Sequence, residues 1–291
     1  MAIKLLVVLV VLALAQGLPD LARMRDFSRL RVWVALLGRR GDVLQSFLAL
    51  VVPVALCALL QWWLSGPLFG LLGVAFAVCV LWFAWGPRDL GQDIEAVLKA
   101  PDSERRRAAA QALRPEGEEA ALPWQAAALV EASFRSALQR WFGVLFWFLL
   151  AGPAGALAYR LAQVLAWGAL LDGEQAAAGR DFARRLARLL DWAPAHLMAL
   201  AMAVASDFDA VFHSWRAHHD AAGKGYFTLD LGFLGAIARA GVDADVVAGD
   251  GYAEDVDDPL VELDDARHLL VRVLIVWLAA TAVFALGGWF N

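Results

Sequence analysis

The sequence predicts an all-α fold: a polytopic integral membrane helical protein with cytoplasmic amphipathic helices. Two apolar runs without a charged residue, 47–64 and 68–85, are separated by a short turn that contains Gly66 and Pro67. A bilayer core takes roughly 20 apolar residues as helix, and only helices or closed barrels satisfy their backbone groups there. The chain is also 61% hydrophobic with a mean hydropathy of +0.58. Together these observations predict a transmembrane hairpin.

The first apolar segment, 3–17, starts with one lysine and ends in Ala13-Leu14-Ala15, as a secretory signal peptide does. A retained first helix is the favoured interpretation, because a cleaved chain would still cross the membrane several times. Region 18–46 follows with six arginines and with apolar residues at helical spacing. Such a basic amphipathic segment is typical of an anionic membrane surface, and a charged loop is the alternative. Its arginines predict a cytoplasmic location.

Regions 86–140 and 172–268 are predicted to be cytoplasmic and helical. Eight basic and nine acidic residues nearly cancel in 86–140, which gives no footprint for nucleic acid. In 172–204 we expect an amphipathic helix followed by a second helix that Pro194 starts. The ten carboxylates of 243–265 lack the ligand spacing of a calcium-binding loop, so we expect a solvated acidic linker there.

Segment 141–171 is apolar but broken at 152–155 by Gly-Pro-Ala-Gly. As one straight helix it would be about 46 Å long, which exceeds the membrane. The segment therefore either kinks across the bilayer or re-enters, and re-entry is favoured because it keeps the arginines of 180–188 in the cytoplasm. The last apolar segment, 269–290, follows Arg267 and predicts a final span. We expect residues 1–291 to form a single membrane domain in the bacterial inner (cytoplasmic) membrane.

General motifs give no support to an enzyme. His213, His218 and His219 are spaced i, i+5, i+6, which does not place their rings on one helix face as a zinc site needs. Phosphate-binding glycine loops, nucleophile elbows and HExxH are missing from the sequence. No catalytic residue, metal or cofactor is therefore predicted. Polar residues at the membrane edge are the better candidates for ligand contact, above all Tyr159 and Arg160, with interface snorkelling as the alternative.

Two stretches resemble a known family: LFWFLLAGPAGALAYRLAQ at 145–163 and LLDWAPAHL at 189–197. They are similar to the AmpE family of inner-membrane proteins linked to β-lactamase induction. That family is in turn similar to the CobD/CbiB enzymes, which use ATP to join an aminopropanol phosphate to a corrinoid carboxylate. The candidate ligand-binding residues lie just after the apolar hairpin, before and within the first stretch, and within the second: Arg88, Asp89, Arg135, Tyr159, Arg160, Asp191 and Trp192.

The sequence departs from the enzymes at their polar positions. Before the LFW run the enzymes carry Glu-Asn and then Asp, where this chain has Arg135-Ser136 and Gln139. After the Tyr-Arg they carry Asn-Thr-Leu-Asp, where this chain has QVLA at 163–166. Carboxylates and amides are the groups that hold Mg²⁺-ATP. The resemblance thus implies a scaffold that is retained without that chemistry.

The leading functional hypothesis is a non-enzymatic signalling modulator of the AmpE type, tied to cell-wall stress and to the antibiotic response. Its expected partners are membrane lipids and either a protein or a peptidoglycan-derived ligand, with no nucleic acid. One alternative is a CobD/CbiB-like, ATP-dependent, amide-forming membrane enzyme. Another is a small-molecule transporter, which the lack of an inverted repeat disfavours.

Overall fold

The computed structural model describes residues 2–17, 28–37, 42–66, 70–86, 89–168, 177–222, 228–249 and 258–287. Every regular element within these ranges is helical, which confirms the all-α prediction. The ends of several predicted segments, 169–171 and 288–290 among them, lie outside the described residues, as do all of 18–27 and the middle of the predicted acidic linker.

The helices are α1 (Ala2–Gly17), α2 (Ser28–Leu36), α3 (Val43–Leu64), α4 (Gly70–Ala84), α5 (Leu90–Leu98), α6 (Ser103–Ala110), α7 (Ala126–Ala137), α8 (Gly143–Ala151), α9 (Pro153–Trp167), α10 (Ala177–Ala205), α11 (Phe208–Ala222), α12 (Gly232–Gly249) and α13 (Pro259–Leu286). A 3₁₀ turn, Gln111–Leu113, follows α6, and a π turn, Leu138–Phe142, lies between α7 and α8.

The chain forms two compact units, each assembled from separate stretches of sequence. The first comprises Met1–Pro87, Gly143–Leu190 and Thr281–Asn291, and the second comprises Arg88–Phe142 and Asp191–Ala280. In the first unit α9 is the central helix, because α3, α4 and α8 all pack against it. In the second unit α12 packs against both α7 and α11, and α5 packs against α6 and α7.

Helix starts follow local chemistry. Asp42, Asp89 and Asp102 precede α3, α5 and α6, and each carboxylate accepts hydrogen bonds from backbone N–H groups of the first turn. Those N–H groups have no partner within a helix, so an aspartate at this position stabilises the start. Pro153 is the first residue of α9, where the missing N–H of proline costs nothing.

Two expectations about the chain after residue 172 are wrong. α10 continues through Pro194 instead of restarting there. The acidic linker is shorter than predicted, because α12 extends to Gly249 and α13 starts at Pro259. Val242 of α12 and Leu263 of α13 are fully buried. The packing of these two apolar residues stabilises the end of α12 and the start of α13, which border the acidic segment.

Within the described residues, α3 and α13 are long and apolar enough to cross a bilayer. The apolar helices at Ala2–Ala15 and Gly70–Ala84 are shorter. The predicted number of membrane crossings, the single membrane domain and the sidedness of each region stay predictions.

Candidate functional site

The α8–α9 pair forms a helical hairpin at the predicted break. Gly152 separates the two helices with a φ of 71°, a conformation that residues with a Cβ rarely adopt. A Cβ on Gly155 would overlap the carbonyl oxygen of Trp147, and a Cβ on Gly143 would overlap the ring of Tyr159. Since 147 meets 155 and 143 meets 159, the chain reverses at Gly152 and the two helices run antiparallel in close contact. Whether this hairpin re-enters a membrane stays a prediction.

Gln61 of α3 stabilises the turn of this hairpin. Its Oε1 accepts from the backbone N–H of Ala154 at 3.1 Å, and its Nε2 donates to the carbonyl of Ala151 at 3.4 Å. These are backbone groups at a helix start and a helix end, which have no partner within their helices. Gln61 is one of the polar residues inside an apolar run of the sequence, and its role here is to satisfy the backbone of another helix.

In the same way, two tryptophans donate to carbonyl groups that prolines inside helices leave without a donor. A proline leaves the carbonyl four residues earlier without its N–H donor. Pro53 of α3 frees the carbonyl of Ala49, and the indole Nε1 of Trp33 donates to it at 3.4 Å.

Pro194 of α10 likewise frees the carbonyl of Leu190, and the indole Nε1 of Trp147 donates to that oxygen at 3.0 Å. Because the freed carbonyl has a donor, α10 can continue through Pro194. This pairing explains why the predicted helix boundary at Pro194 is absent.

Tyr159 and Arg160, the strongest sequence candidates for ligand contact, lie in the interior of the first unit. Tyr159 is 0% exposed and Arg160 is 1% exposed. Gln163, one turn further along α9, is also buried and accepts from the indole Nε1 of Trp167 at 3.0 Å. A buried guanidinium requires compensation by the protein. α9 therefore carries a buried polar face, and a ligand would have to open the helix packing to reach it.

A buried ion pair lies in the second unit, and the sequence did not predict this pairing. The Nη1 of Arg140 donates to Oδ2 of Asp93 at 2.8 Å, and its Nη2 donates to the carbonyl of Ala112 at 2.8 Å. Both side chains are at least nine-tenths buried. Asp93 lies on the buried face of α5 together with Leu90, Ile94 and Val97. A carboxylate on the apolar stripe of an amphipathic helix was the signal that could have identified it.

Arg140 belongs to the π turn Leu138–Phe142, a local geometry that is frequent at functional sites. A pocket of about 350 Å³ opens next to its partner Asp93. Four alanines and Gln111 complete the wall, and the Gln111 amide is bonded to both backbone groups of Leu122. Asp93 is thus the single charged residue among the described residues of the wall, and Arg140 forms an ion pair with it.

Arg135, Ser136 and Gln139, where the sequence is expected to depart from the enzymes, all contact the 113–118 segment. Arg135 forms an ion pair with Glu118. The hydroxyl of Ser136 donates to the carbonyl of Leu113 at 2.6 Å. The Oε1 of Gln139 accepts from the backbone N–H of Glu116 at 2.8 Å. All three side chains are therefore engaged with one connecting segment of their own unit.

The remaining predicted site residues are distributed over the second unit. Asp89 caps α5 through the N–H groups of Gly91 and Gln92. Asp191 is buried, and the ring of Trp192 lies 4.4 Å from that of His196. Arg88 lies outside the described residues.

His196 was missed as a candidate although it stands in the LLDWAPAHL stretch. Its Nδ1 bonds to the carbonyl of Trp192 at 2.7 Å, and its ring packs against Phe233 at 4.9 Å. The second unit thus gathers aromatic and imidazole rings around Phe233. Within the described residues, no group of three or more His, Cys, Asp or Glu is placed to hold a metal ion.

These features define a class: an all-helical protein with two helices able to cross a bilayer and with a glycine-packed helical hairpin. The family model described as CobD/Cbib protein matches residues 14–226, more than half of the chain. The chain therefore belongs to the CobD/CbiB family. Comparison with curated proteins and with solved structures gives no match. The broader part of the sequence resemblance is confirmed, and the AmpE assignment within it stays a proposal.

Proposed function

We propose that this chain is a non-catalytic member of the CobD/CbiB family that acts as a signalling modulator of the AmpE type. The observation that carries the proposal is the use of Arg135, Ser136 and Gln139. At positions where the enzymes hold carboxylates and an amide, this chain has side chains bonded to its own 113–118 segment. Groups committed to internal packing do not bind Mg²⁺-ATP, which needs free oxygen ligands.

Membrane location is part of the proposal. Only 22% of the apolar window of α3 and 17% of that of α13 is buried. A core helix of a soluble protein would be mostly buried, whereas exposed apolar surface of this extent fits lipid. We place the protein in the bacterial inner membrane with several crossings, where it would bind a protein partner or a peptidoglycan-derived ligand.

Gene deletion in a strain with an inducible β-lactamase tests the signalling role. Deletion is expected to change β-lactamase induction by a β-lactam, and expression of the intact chain from a plasmid is expected to restore it. Unchanged induction in the deletion strain would refute the AmpE-type role.

A matched pair of variants would test whether the buried face of α9 carries this role. Arg160→Gln changes a buried charge, whereas Leu189→Gln changes an exposed residue of the same unit. At equal protein levels on an immunoblot, restoration of induction should be lost in Arg160→Gln and kept in Leu189→Gln. Equal restoration by both variants would remove Arg160 from the mechanism.

Family membership itself favours a second candidate, an ATP-dependent amide-forming membrane enzyme. Purified full-length protein in detergent can be titrated with ATP, with and without Mg²⁺. The leading proposal expects no saturable Mg²⁺-dependent binding. Such binding, if lost in Asp93→Asn but kept in Glu95→Gln on the same helix, would establish the enzyme alternative instead.

A further inference from the structure

An apolar stripe runs along the corner between α10 and α11 in the second unit. Leu197, Leu200 and Val204 recur at i, i+3 and i+7 near the end of α10, and all three are exposed. Phe208 and Phe212 follow at the start of α11, where they are also exposed and their rings stack at 5.7 Å. We call these five residues the corner stripe.

The corner stripe is not the face by which α11 packs. Val211, Trp215 and His219 are the buried residues of that helix, and Trp215 stacks on Phe233 of α12 at 5.8 Å. Phe208 and Phe212 are 57% and 38% exposed, so among the described residues no helix of this unit fully covers this second apolar face. Exposure of a phenylalanine pair to water is unfavourable, so we expect this face to lie in an apolar environment.

Two contacts fix the corner beside the membrane-entry point of α13. Nη1 of Arg272 donates to the carbonyl of Ala205 at 3.2 Å. The hydroxyl of Ser206 donates to the carbonyl of Gly241 at 2.8 Å, and a Cβ on Gly241 would lie 3.1 Å from Leu269. The corner at 205–206 is thus adjacent to 269–272, where the charged first part of α13 gives way to an uncharged apolar stretch after Arg272.

One arginine and two aspartates lie beside the stripe, and the arginine is the charge that suits an anionic headgroup layer. The guanidinium of Arg216 lies 5.1 Å from the centre of the Phe212 ring. Phenylalanine rings next to an arginine suit the boundary of a bilayer, because the rings can contact acyl chains while the guanidinium contacts anionic headgroups. Asp207 and Asp209 flank Phe208, and the Asp207 carboxylate is engaged at 2.7 Å by the N–H of Ala210 as a helix cap.

We propose that the corner stripe is an interfacial membrane anchor: Phe208 and Phe212 insert into the bilayer boundary beside the entry point of α13. This inference rests on the proposed membrane insertion of α13. The occupant of the stripe is the lipid surface itself, because the stripe adjoins the point where α13 becomes apolar.

Site-directed labelling of the full chain in vesicles tests the anchor. Cys57 and Cys79, the two cysteines of the chain, are first replaced by alanine. A fluorescent nitrobenzoxadiazole label is then placed on Phe208→Cys or Phe212→Cys, and the protein is reconstituted into vesicles of phosphatidylcholine and phosphatidylglycerol. Asp220→Cys on the same helix is the aqueous control, and Ala280→Cys is the control for insertion of α13. The thermal transition of each labelled protein verifies its fold.

Labels at 208 and 212 should lie about 5–10 Å below the headgroup layer, which is the usual depth of an interfacial helix face. They should be quenched severalfold more by doxyl-labelled lipid than the label at 220, with blue-shifted emission. A quenched label at 280 together with unquenched labels at 208 and 212 would overturn the anchor and leave membrane insertion intact. Lack of quenching at 280 as well would refute the membrane proposal itself.

Two other occupants give distinct results. Docking of a second copy would shield 208 from aqueous iodide in vesicles without quenching by doxyl lipid. A docking site for a soluble protein would leave 208 accessible to iodide in vesicles of the purified chain. Either result overturns the anchor.

Discussion

The two units of the molecule use their polar side chains for different purposes. In the first unit, Gln61, Trp33 and Trp147 donate to or accept from backbone groups that a proline or a helix end leaves without a partner. In the second unit a polar contact inside the core joins two charged side chains, Asp93 and Arg140. Both units bury charge, since Arg160 of the first is also buried, but the first unit also uses side chains to complete its broken helices.

The difference follows from composition. The first unit contains most of the apolar segments, and in the proposed membrane location water would not satisfy a broken helix there, so each break would need a side-chain partner. The second unit contains the charged helices, where a carboxylate on an apolar face needs an opposite charge. Variants in the two units should therefore lose stability for different reasons, and four experiments test this contrast.

The largest effect is expected from Arg140→Met. It leaves the Asp93 carboxylate buried without its ion-pair partner, which should lower the free energy of unfolding by about 3–5 kcal/mol. Chemical denaturation in detergent measures the loss. The matched control is Lys99→Met, whose partner Glu95 is exposed on the same α5 and whose loss should cost about 1 kcal/mol or less. Equal losses in both variants would contradict the role of burial.

Gly155→Ala should have the next largest effect. The added Cβ would meet the carbonyl oxygen of Trp147 and the Cβ of Ala151, neither of which can rotate away. We expect a loss of about 1–3 kcal/mol, as for other overpacked cores. Gly70→Ala, where a Cβ has open space, should leave the melting temperature unchanged or raise it. A neutral Gly155→Ala would show that the α8–α9 hairpin is loosely packed.

Trp147→Phe should cost about 1 kcal/mol or somewhat more, because it leaves the carbonyl of Leu190 without a donor. The loss should largely disappear in the Pro194→Ala background, where residue 194 regains the N–H that bonds this carbonyl. The double-mutant cycle, measured by thermal unfolding, isolates the pairing from the packing of the indole ring. Full additivity of the two substitutions would contradict the pairing.

The smallest effect concerns pH. The pKa of Glu95 is lowered by its hydrogen bond to Lys99 and by the Lys99 charge. A carboxyl group whose pKa is lower in the folded protein stabilises the fold above its unfolded pKa, and this contribution is lost as pH falls through the folded pKa. In melting scans below the ordinary glutamate pKa of 4.5, wild type should lose slightly more stability than Glu95→Gln.

Lys99→Gln is the control for this pH effect, because it keeps the carboxyl group and removes the cause of the shift. Its acid sensitivity should match that of Glu95→Gln more closely than that of wild type. An unchanged difference between wild type and both variants across this pH range would refute the interaction.

The apolar runs and the break at 152–155 could be predicted from the sequence, because hydropathy and a Gly-Pro pair act locally. The continuation of α10 through Pro194 could not, since it depends on Trp147, which lies 43 residues before Leu190, whose carbonyl it bonds. The same limit applies to Asp93 and Arg140, which are 47 residues apart. Tyr159 and Arg160 were identified as notable, but their burial is a property of the helix packing around α9.

Gly152 has a consequence for the interpretation of family resemblance. This residue must be a glycine because of its left-handed backbone and because the Gln61 side chain occupies the space where a Cβ would be, and Pro153 suits the first position of a helix. The Gly-Pro pair at the centre of the most recognisable stretch thus encodes a chain reversal. A sequence comparison that relies on this stretch will therefore collect proteins that share the hairpin, whether or not they have kept any chemistry.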